Sequence, residues 1–159
     1  MTHQALNHTD PLLEVQDLKK YFPVTGPLGR IGGLKGQVKA VDGVSFQLYE
    51  GETYGLVGES GSGKSTTGRT LMRLTEPSDG KVIYHHQNLF DLSKKELKKV
   101  RKDVQMVFQD PFSSLNPRIR IGETLEEPLA IHQLANKQER KERVFDALDK
   151  VGMKIEHYY

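Results

Sequence analysis

An α/β fold is predicted by three features of this sequence. Residues 58–66 read GESGSGKST, which holds the pattern Gly-x-x-x-x-Gly-Lys-Ser/Thr with Gly58, Gly63, Lys64 and Ser65 in the fixed places. A short apolar run precedes that loop and a helical stretch follows it. Elsewhere, short strand-like segments punctuated by Gly, Pro and Asp alternate with helical ones that carry legible caps. Strand, glycine-rich loop and helix, in that order, make a phosphate-binding unit. The glycines let the backbone turn tightly with its N–H groups inward, and the helix dipole adds to the anion site. In this pattern Lys64 reaches the β- and γ-phosphates and the Ser65 hydroxyl ligates Mg²⁺, so the loop implies binding of a nucleoside triphosphate.

Length and composition bound the rest. A chain of 159 residues suffices for one domain with a core. The net charge is only +2, from 23 Lys and Arg against 21 Asp and Glu, so no global electrostatic argument favours nucleic acid. The absence of cysteine excludes disulfides, thiolate nucleophiles and Cys-based metal sites. No apolar run approaches the ~18 residues of a membrane span. The N-terminal MTHQALNHTD is polar and lacks the basic-then-apolar pattern of a secretory signal. These features describe a soluble cytoplasmic α/β domain.

Taken in order, residues 1–11 lack periodicity and read as a loose segment. Residues 12–18 (LLEVQDL) read as a strand, and Pro23 is expected to stop further sheet pairing. Residues 25–36 hold five glycines in twelve positions and read as a surface loop. Residues 38–41 and 44–48 form a second strand region, broken by a turn or bulge at Asp42 and Gly43. Gly51 marks a turn, and Tyr54, Gly55, Leu56 and Val57 read as a short buried strand feeding the loop. Residues 66–74 read as a helix, Pro77 to Gly80 as a turn, and residues 81–84 as a strand. Residues 91–101 read as a helix with Ser93 and Glu96 at capping-box spacing. Residues 94–102 carry six bases and one acid; without interleaved aromatics this reads as a solvated face rather than a nucleic-acid surface. Residues 104–108 (VQMVF) read as a strand ending at Gln109, and residues 113–120 as an irregular loop. Residues 122–133 are helix-like, with Pro128 kinking or splitting them. The last helix is capped by Asn136 with Glu139 at the box position and ends at Gly152, with Val144, Ala147, Leu148 and Val151 on one face.

A phosphate loop alone fits kinases, GTPases, helicases and transporters. An aromatic at the end of the first strand, a strand ending in Gln about 45 residues past Lys64, and a helical stretch beyond it together resemble the ATP-binding subunits of ABC transporters. GESGSGKST, VQMVFQDP and SSLNPR in that order resemble the oligopeptide/dipeptide importer branch. The glycine-rich insertion at 25–36 followed by VKAVDGVSF resembles the second of the two ATPase subunits in such importers. The resemblance covers residues 12–159 and implies the P-loop NTPase core of an ABC-type nucleotide-binding domain, with the start of its helical subdomain at about 119–159.

Carried over residue by residue, the resemblance implies that ATP is held by Gly58, Glu59, Ser60, Gly61, Ser62, Gly63, Lys64, Ser65 and Thr66. Phe22 aligns with the aromatic that stacks on adenine, with Tyr21 as the alternative. Gln109 matches the glutamine that binds Mg²⁺ or the attacking water, and shares the catalytic role with Lys64. Implied partners are a second ATPase subunit closing an ATP sandwich, permease subunits contacted near 109–120, and indirectly an extracytoplasmic solute-binding protein. The implied location is the cytoplasmic face of the plasma membrane, peripherally, with no role for nucleic acid.

The resemblance also exposes what this sequence lacks. No Leu-Ser-Gly-Gly-Gln signature, no apolar strand ending in Asp-Glu and no later His in the family context occurs; His132 and His157 read as solvent-facing. The chain therefore reads as the N-terminal part of a longer subunit, able to bind nucleotide without turning it over. If the absent strands lie beside the strand that feeds the loop, the parallel sheet has uncovered apolar edges and the product is aggregation-prone or partly molten. A small-molecule kinase would show an Arg-rich lid and needs no Gln109-Asp110-Pro111 loop, so it is the weaker reading. A GTPase would need Asn-Lys-x-Asp, whereas the sequence at Asn136 ends in Glu139.

Overall fold

The first expected strand forms, but it runs well past the residues whose apolar pattern announces it. In the computed structural model, which describes residues 10–26, 29–110 and 114–159, β1 spans Leu13–Gly26 and β2 spans Gly29–Leu48. The chain divides into two compact units, Met1–Leu97 and Lys98–Tyr159. In the first, β1 and β2 form an antiparallel hairpin, extended by β3 (Asp79–Tyr84) and β4 (Gln87–Asn88) in the order β2-β1-β3-β4. Helix α1 (Lys64–Leu71) packs on β1 and β2. Val15, Leu18, Val41, Val82 and Leu89 make the core, with Thr67 and Thr70 buried from α1. Both threonine hydroxyls donate to carbonyls one turn back, Gly63 at 3.0 Å and Thr66 at 2.8 Å. Burial therefore leaves neither hydroxyl without a partner.

Several expectations change here. Pro23 does not end pairing: it sits opposite Gln37, and Val24 opposite Gly36. β3 pairs with β1 only as far as Lys19, so beyond that point the side of β1 at Pro23 has no partner strand among the described residues, and a missing N–H is tolerated there. In the stretch expected as a surface loop, residues 25–26 and 29–36 continue the hairpin, with Thr25 opposite Leu34 and Gly26 opposite Gly29, while Pro27 and Leu28 lie outside the described residues. The break at Asp42 and Gly43 is a bulge inside one strand: Leu18 faces Val44 and Lys19 faces Asp42, leaving Gly43 at φ +80°. Helix α1 starts at Lys64 and stops at Leu71, three residues short of the expected end, and Arg73 takes a left-handed φ of +49°. Gly51 turns as expected, with the Glu52 N–H donating to the Tyr49 carbonyl at 3.2 Å.

Two expected strands do not form. Tyr54, Gly55, Leu56 and Val57 join no ladder and are exposed, Val57 to 91%. Residues 104–108 likewise join no ladder, and Val107 is 96% exposed. A strand is stabilised by cross-strand neighbours rather than by its own composition, and among the described residues neither run has one. Every ladder among the described residues is antiparallel, so the expected parallel sheet is not present there.

Helix α2 (Lys94–Val100) carries the expected capping box: the Ser93 N–H donates to Glu96 Oε2 at 2.9 Å and the Glu96 N–H to Ser93 Oγ at 3.3 Å. Leu97 is buried while Lys94, Lys95, Lys98 and Lys99 face solvent. In the second unit, α3 (Ile121–Ile131) runs unbroken through Pro128, and α4 (Lys137–Lys150) packs against it. Asn136 Oδ1 accepts from the Gln138 and Glu139 N–H groups, both at 3.0 Å, and Glu139 returns a bond to the Asn136 N–H. The buried stripe of α4 is narrower than expected, with Val144 and Leu148 inside but Ala147 and Val151 exposed. A 3-10 turn at Ile155–Tyr158 folds back so that Tyr158 donates to Glu126 and meets Phe145 edge-on at 5.1 Å. Gly122 makes room for it: a Cβ there would lie 2.5 Å from the Tyr158 ring. Residues 1–9, expected as a loose segment, and residues 111–113, which include Pro111 and Ser113, lie outside the described residues.

Candidate nucleotide site

The glycine-rich loop owes its shape to two left-handed residues and one close approach. Gly61 and Gly63 take φ of +82° and +94°. A Cβ on Gly63 would lie 2.1 Å from the Ala40 carbonyl oxygen of β2, so no side chain fits between the loop and the hairpin. At the other end a Cβ on Gly58 would come within 2.7 Å of Ser62 Oγ. Between them the Ser62 N–H donates to the Glu59 carbonyl at 3.2 Å and closes a turn through Ser60. Lys64 folds back into this turn, donating to the carbonyls of Gly58 at 2.7 Å and Glu59 at 2.6 Å and reaching Ser62 Oγ at 3.3 Å.

Gly63 is also the N-cap of α1 and gives it no side-chain cap. The first-turn N–H groups, on Lys64, Ser65 and Thr66, thus leave the helix toward the loop without a capping side chain. A concavity that only glycine permits, a lysine ammonium inside it and an uncapped helix start together suit a polyphosphate. Ser65 is exposed at the first turn of α1, and its hydroxyl is an oxygen donor that Mg²⁺ would accept. Among the described residues no group of three or more His, Asp or Glu could hold a metal independently. The residues present therefore fit Mg²⁺ only as a companion of the phosphates.

The hairpin separates Phe22 from Tyr21. Val41 is buried and its Cγ2 is 3.9 Å from the Cβ position of Gly63, so its face of β2 looks at the loop. Val41 pairs with Lys20, and Phe22 follows two residues on, so Lys20 and Phe22 share that face with the buried Leu18. Tyr21 lies on the other face. Its hydroxyl donates to Asp42 Oδ1, and Lys39 stands 5.3 Å over its ring while bonding Asp42 at 3.1 Å. The hydrogen bond with Asp42 raises the Tyr21 hydroxyl above its ordinary pKa and, together with Lys39, lowers the Asp42 carboxyl. Next to it, Asp17 and then Asp79 push the Lys19 ammonium up to about 12. Phe22 is 41% exposed, a ring available for stacking, whereas Tyr21 is committed to a polar cluster. Lys20, which motif reading does not single out, sits 4.8 Å over the Phe22 ring. The alternation Leu18, Lys20, Phe22 is the signal that points to it.

Gln109 lies in the second unit, exposed, after the unpaired run at 104–108. Beyond it the Ser114 hydroxyl donates to the Asp110 carbonyl at 2.9 Å, and Asn116 Oδ1 accepts from the Arg118 N–H at 3.0 Å, shaping a local turn. His157 is exposed, as expected, with Nδ1 accepting from the Lys154 N–H at 3.0 Å. His132 departs from expectation: it caps the end of α3 half-buried, with Nδ1 shielded and without a partner among the described residues.

Residues 41–158 match the sequence profile of the ABC transporter family, well over half of the chain. The chain belongs to that family. It is 49% identical over 145 residues to the oligopeptide transport ATP-binding protein AppF of Bacillus subtilis, which covers 91% of this chain and 44% of that protein. It is 44% identical over 158 residues to the dipeptide transport ATP-binding protein DppF of Escherichia coli, covering 99% and 46%. Among solved structures, the ATP-binding cassette MJ0796, a dimer in a post-hydrolysis state with ADP and Pi, superposes with a TM-score of 0.69 at 27% identity. That superposition covers 86% of this chain and 56% of the cassette. The fold is accordingly part of the α/β core of an ABC-type cassette, and the chain spans about half the length of the curated relatives it matches.

Proposed function

We propose that this chain supplies the ATP-binding part of the energy-coupling subunit of an ABC importer for peptides. The observation that carries the reading is the loop at 58–66, with Lys64 held inside it and α1 uncapped behind it. In this reading Gly58, Glu59, Ser60, Gly61, Ser62 and Gly63 wrap the β- and γ-phosphates with their backbone. Lys64 exchanges its carbonyl partners for phosphate oxygens, and the N–H groups of Lys64, Ser65 and Thr66 hold the β-phosphate. Ser65 would meet Mg²⁺ carried by the phosphates, and Phe22 would stack on adenine, a contact worth about 1–3 kcal/mol. Gln109 is proposed, on the family resemblance alone, as a ligand of Mg²⁺ or of the attacking water. ATP supplies the phosphoanhydride bond whose hydrolysis drives solute uptake in the intact subunit. Residues 12–159 then form one nucleotide-binding domain, with its helical subdomain beginning at about 119. Near 109–120 it meets the permease, and a second ATPase subunit closes over the nucleotide. A solute-binding protein outside the membrane acts indirectly. The proposed position is peripheral, on the cytoplasmic face of the membrane. No helix among the described residues is long and apolar enough to cross a membrane.

A second reading, binding without turnover, is favoured by the runs at 54–57, exposed throughout, and 104–108, exposed in part, neither of which joins a ladder among the described residues. These runs lead into the phosphate loop and into Gln109, and phosphoryl transfer depends on how firmly such groups are positioned. Titration of the purified chain with Mg-ATP, beside Lys64→Ala, tests the common ground. Charge-assisted bonds of about 1.5–3 kcal/mol imply a loss of about tenfold or more in the variant. Equal affinity in the two proteins would remove the loop from the site. Phosphate release that depends on Lys64 then separates the readings, because the binding-only reading expects none.

A further inference from the structure

We propose that Lys20 is a further nucleotide contact, the cation that meets the α-phosphate between the base held at Phe22 and the β- and γ-phosphates held at Lys64. The inference rests on the nucleotide reading of the loop and adds a residue that no motif contains. Three observations carry it. Lys20 shares the loop-facing side of the hairpin with Leu18 and Phe22, whereas the neighbouring Lys19 and Lys39 lie on the other side with Tyr21. Lys20 pairs with Val41, next to the Ala40 carbonyl that abuts Gly63, while Phe22 pairs with Val38 farther along. Lys20 thus stands between the ring and the loop, one strand step of roughly 7 Å from Phe22. Finally, Lys19 bonds Asp17 and Asp79 and Lys39 bonds Asp42, but the Lys20 ammonium has the Phe22 ring, at 4.8 Å, as its contact.

An ammonium lying on an aromatic face without a carboxylate among the described residues keeps its charge available for an incoming anion. When a base takes the ring, Lys20 gives up that face and its flexible stem carries the charge toward the loop, where the first phosphate of the chain arrives. The same residue therefore occupies the stacking face in the free protein and neutralises the nucleotide in the bound one.

The test uses the full chain and displacement of a fluorescent trinitrophenyl-ATP by ATP, AMP and adenosine. Lys20→Met keeps the stem without the charge, and Lys20→Arg keeps the charge. Loss of a half-exposed cation–phosphate contact predicts that Lys20→Met weakens ATP and AMP by about three- to tenfold. Adenosine stays within about twofold, and Lys20→Arg restores ATP and AMP. If wild type binds ATP and Lys20→Met matches it, or if adenosine weakens in proportion, the assignment is overturned and Lys20 only props the ring. If wild type displaces no probe with ATP, the nucleotide reading itself fails and the assignment with it. Lys20→Gln serves as the neutral variant should Lys20→Met not fold.

Discussion

Residues 81–84 and residues 54–57 look alike as sequence, each a four-residue run that reads as a short strand, yet their fates differ completely. In the first, Val82 is fully buried, facing Val15 of β1, with Asn88 closing the ladder on the other side at Ile83. In the second, Val57 is 91% exposed and joins no ladder. Residues 104–108 share the second fate. The difference is not in propensity, since valine and aromatic residues occur in both. β3 finds its partner through antiparallel pairings that this stretch of chain contains, while the other two runs have none among the described residues. Parallel strands need crossover connections and are covered on both faces, so a run of that kind has little to gain alone.

The largest expected effect tests that contrast directly. Leu18→Ala, in the core of the first unit, is expected to cost about 2–5 kcal/mol, whereas Val57→Ala stays within about 0.5 kcal/mol. Urea unfolding of the full chain followed by circular dichroism measures both. A Val57 cost as large as that of Leu18 would mean that residues 54–57 are buried in solution and the contrast is wrong. In the same experiment, light scattering should fall for Val57→Lys and Val107→Lys, because exposed apolar runs with free backbone groups template association. Unchanged scattering in both variants would place the aggregation surface elsewhere.

Elements whose stabilising partners are close in sequence form the other side of the comparison, and α4 is the sharpest of them. Its cap needs only Asn136, Gln138 and Glu139. Asn136→Ala is expected to cost about 1 kcal/mol and to speed amide exchange at Gln138 and Glu139, read by NMR. Exchange at those two amides that does not change would show that packing on α3, rather than the cap, sets where α4 begins.

The same distinction explains what could be read in advance. The caps at Ser93 and Asn136, the bulge at Gly43 and the turn at Gly51 are local events, each specified within a few residues, and all were legible. The hairpin beyond Pro23 was not, because glycines and proline signal a loop unless a neighbouring strand lies alongside, and sequence order does not reveal register. In the candidate site the loop at 58–66 was legible as a motif, and so was the need for glycine there. That the glycine contact is with the Ala40 carbonyl depends on a bulge of β2 opposite Lys20 and Tyr21, which nothing in the sequence marks. The proposed preference for Phe22 over Tyr21 turns on that same register: adjacent strand residues face opposite ways, and one residue of slip would exchange them.

The Tyr21 side of the hairpin provides the smallest effect and the finest test of that register. Hydrogen bonding to Asp42 raises the Tyr21 pKa above its ordinary 10.0, and the same bond with Lys39 lowers Asp42 below 3.8. A raised tyrosine contributes stability that is complete below its unfolded value and is lost as pH climbs through the folded one, above about 10. A lowered carboxyl contributes stability that is present above its unfolded value and is lost as pH falls through the folded one, below 3.8. Tyr21→Phe should therefore lower the melting temperature slightly across the neutral range and converge on wild type at both extremes. The groups are solvent-exposed, so screening keeps the gap small and added salt narrows it further. Melting curves at pH ~3, ~7 and ~11 for wild type, Tyr21→Phe and Phe22→Leu measure it. A pH-dependent gap for Phe22→Leu instead of Tyr21→Phe would reverse the two faces of the hairpin, and with them the proposal that Phe22 rather than Tyr21 stacks on a base.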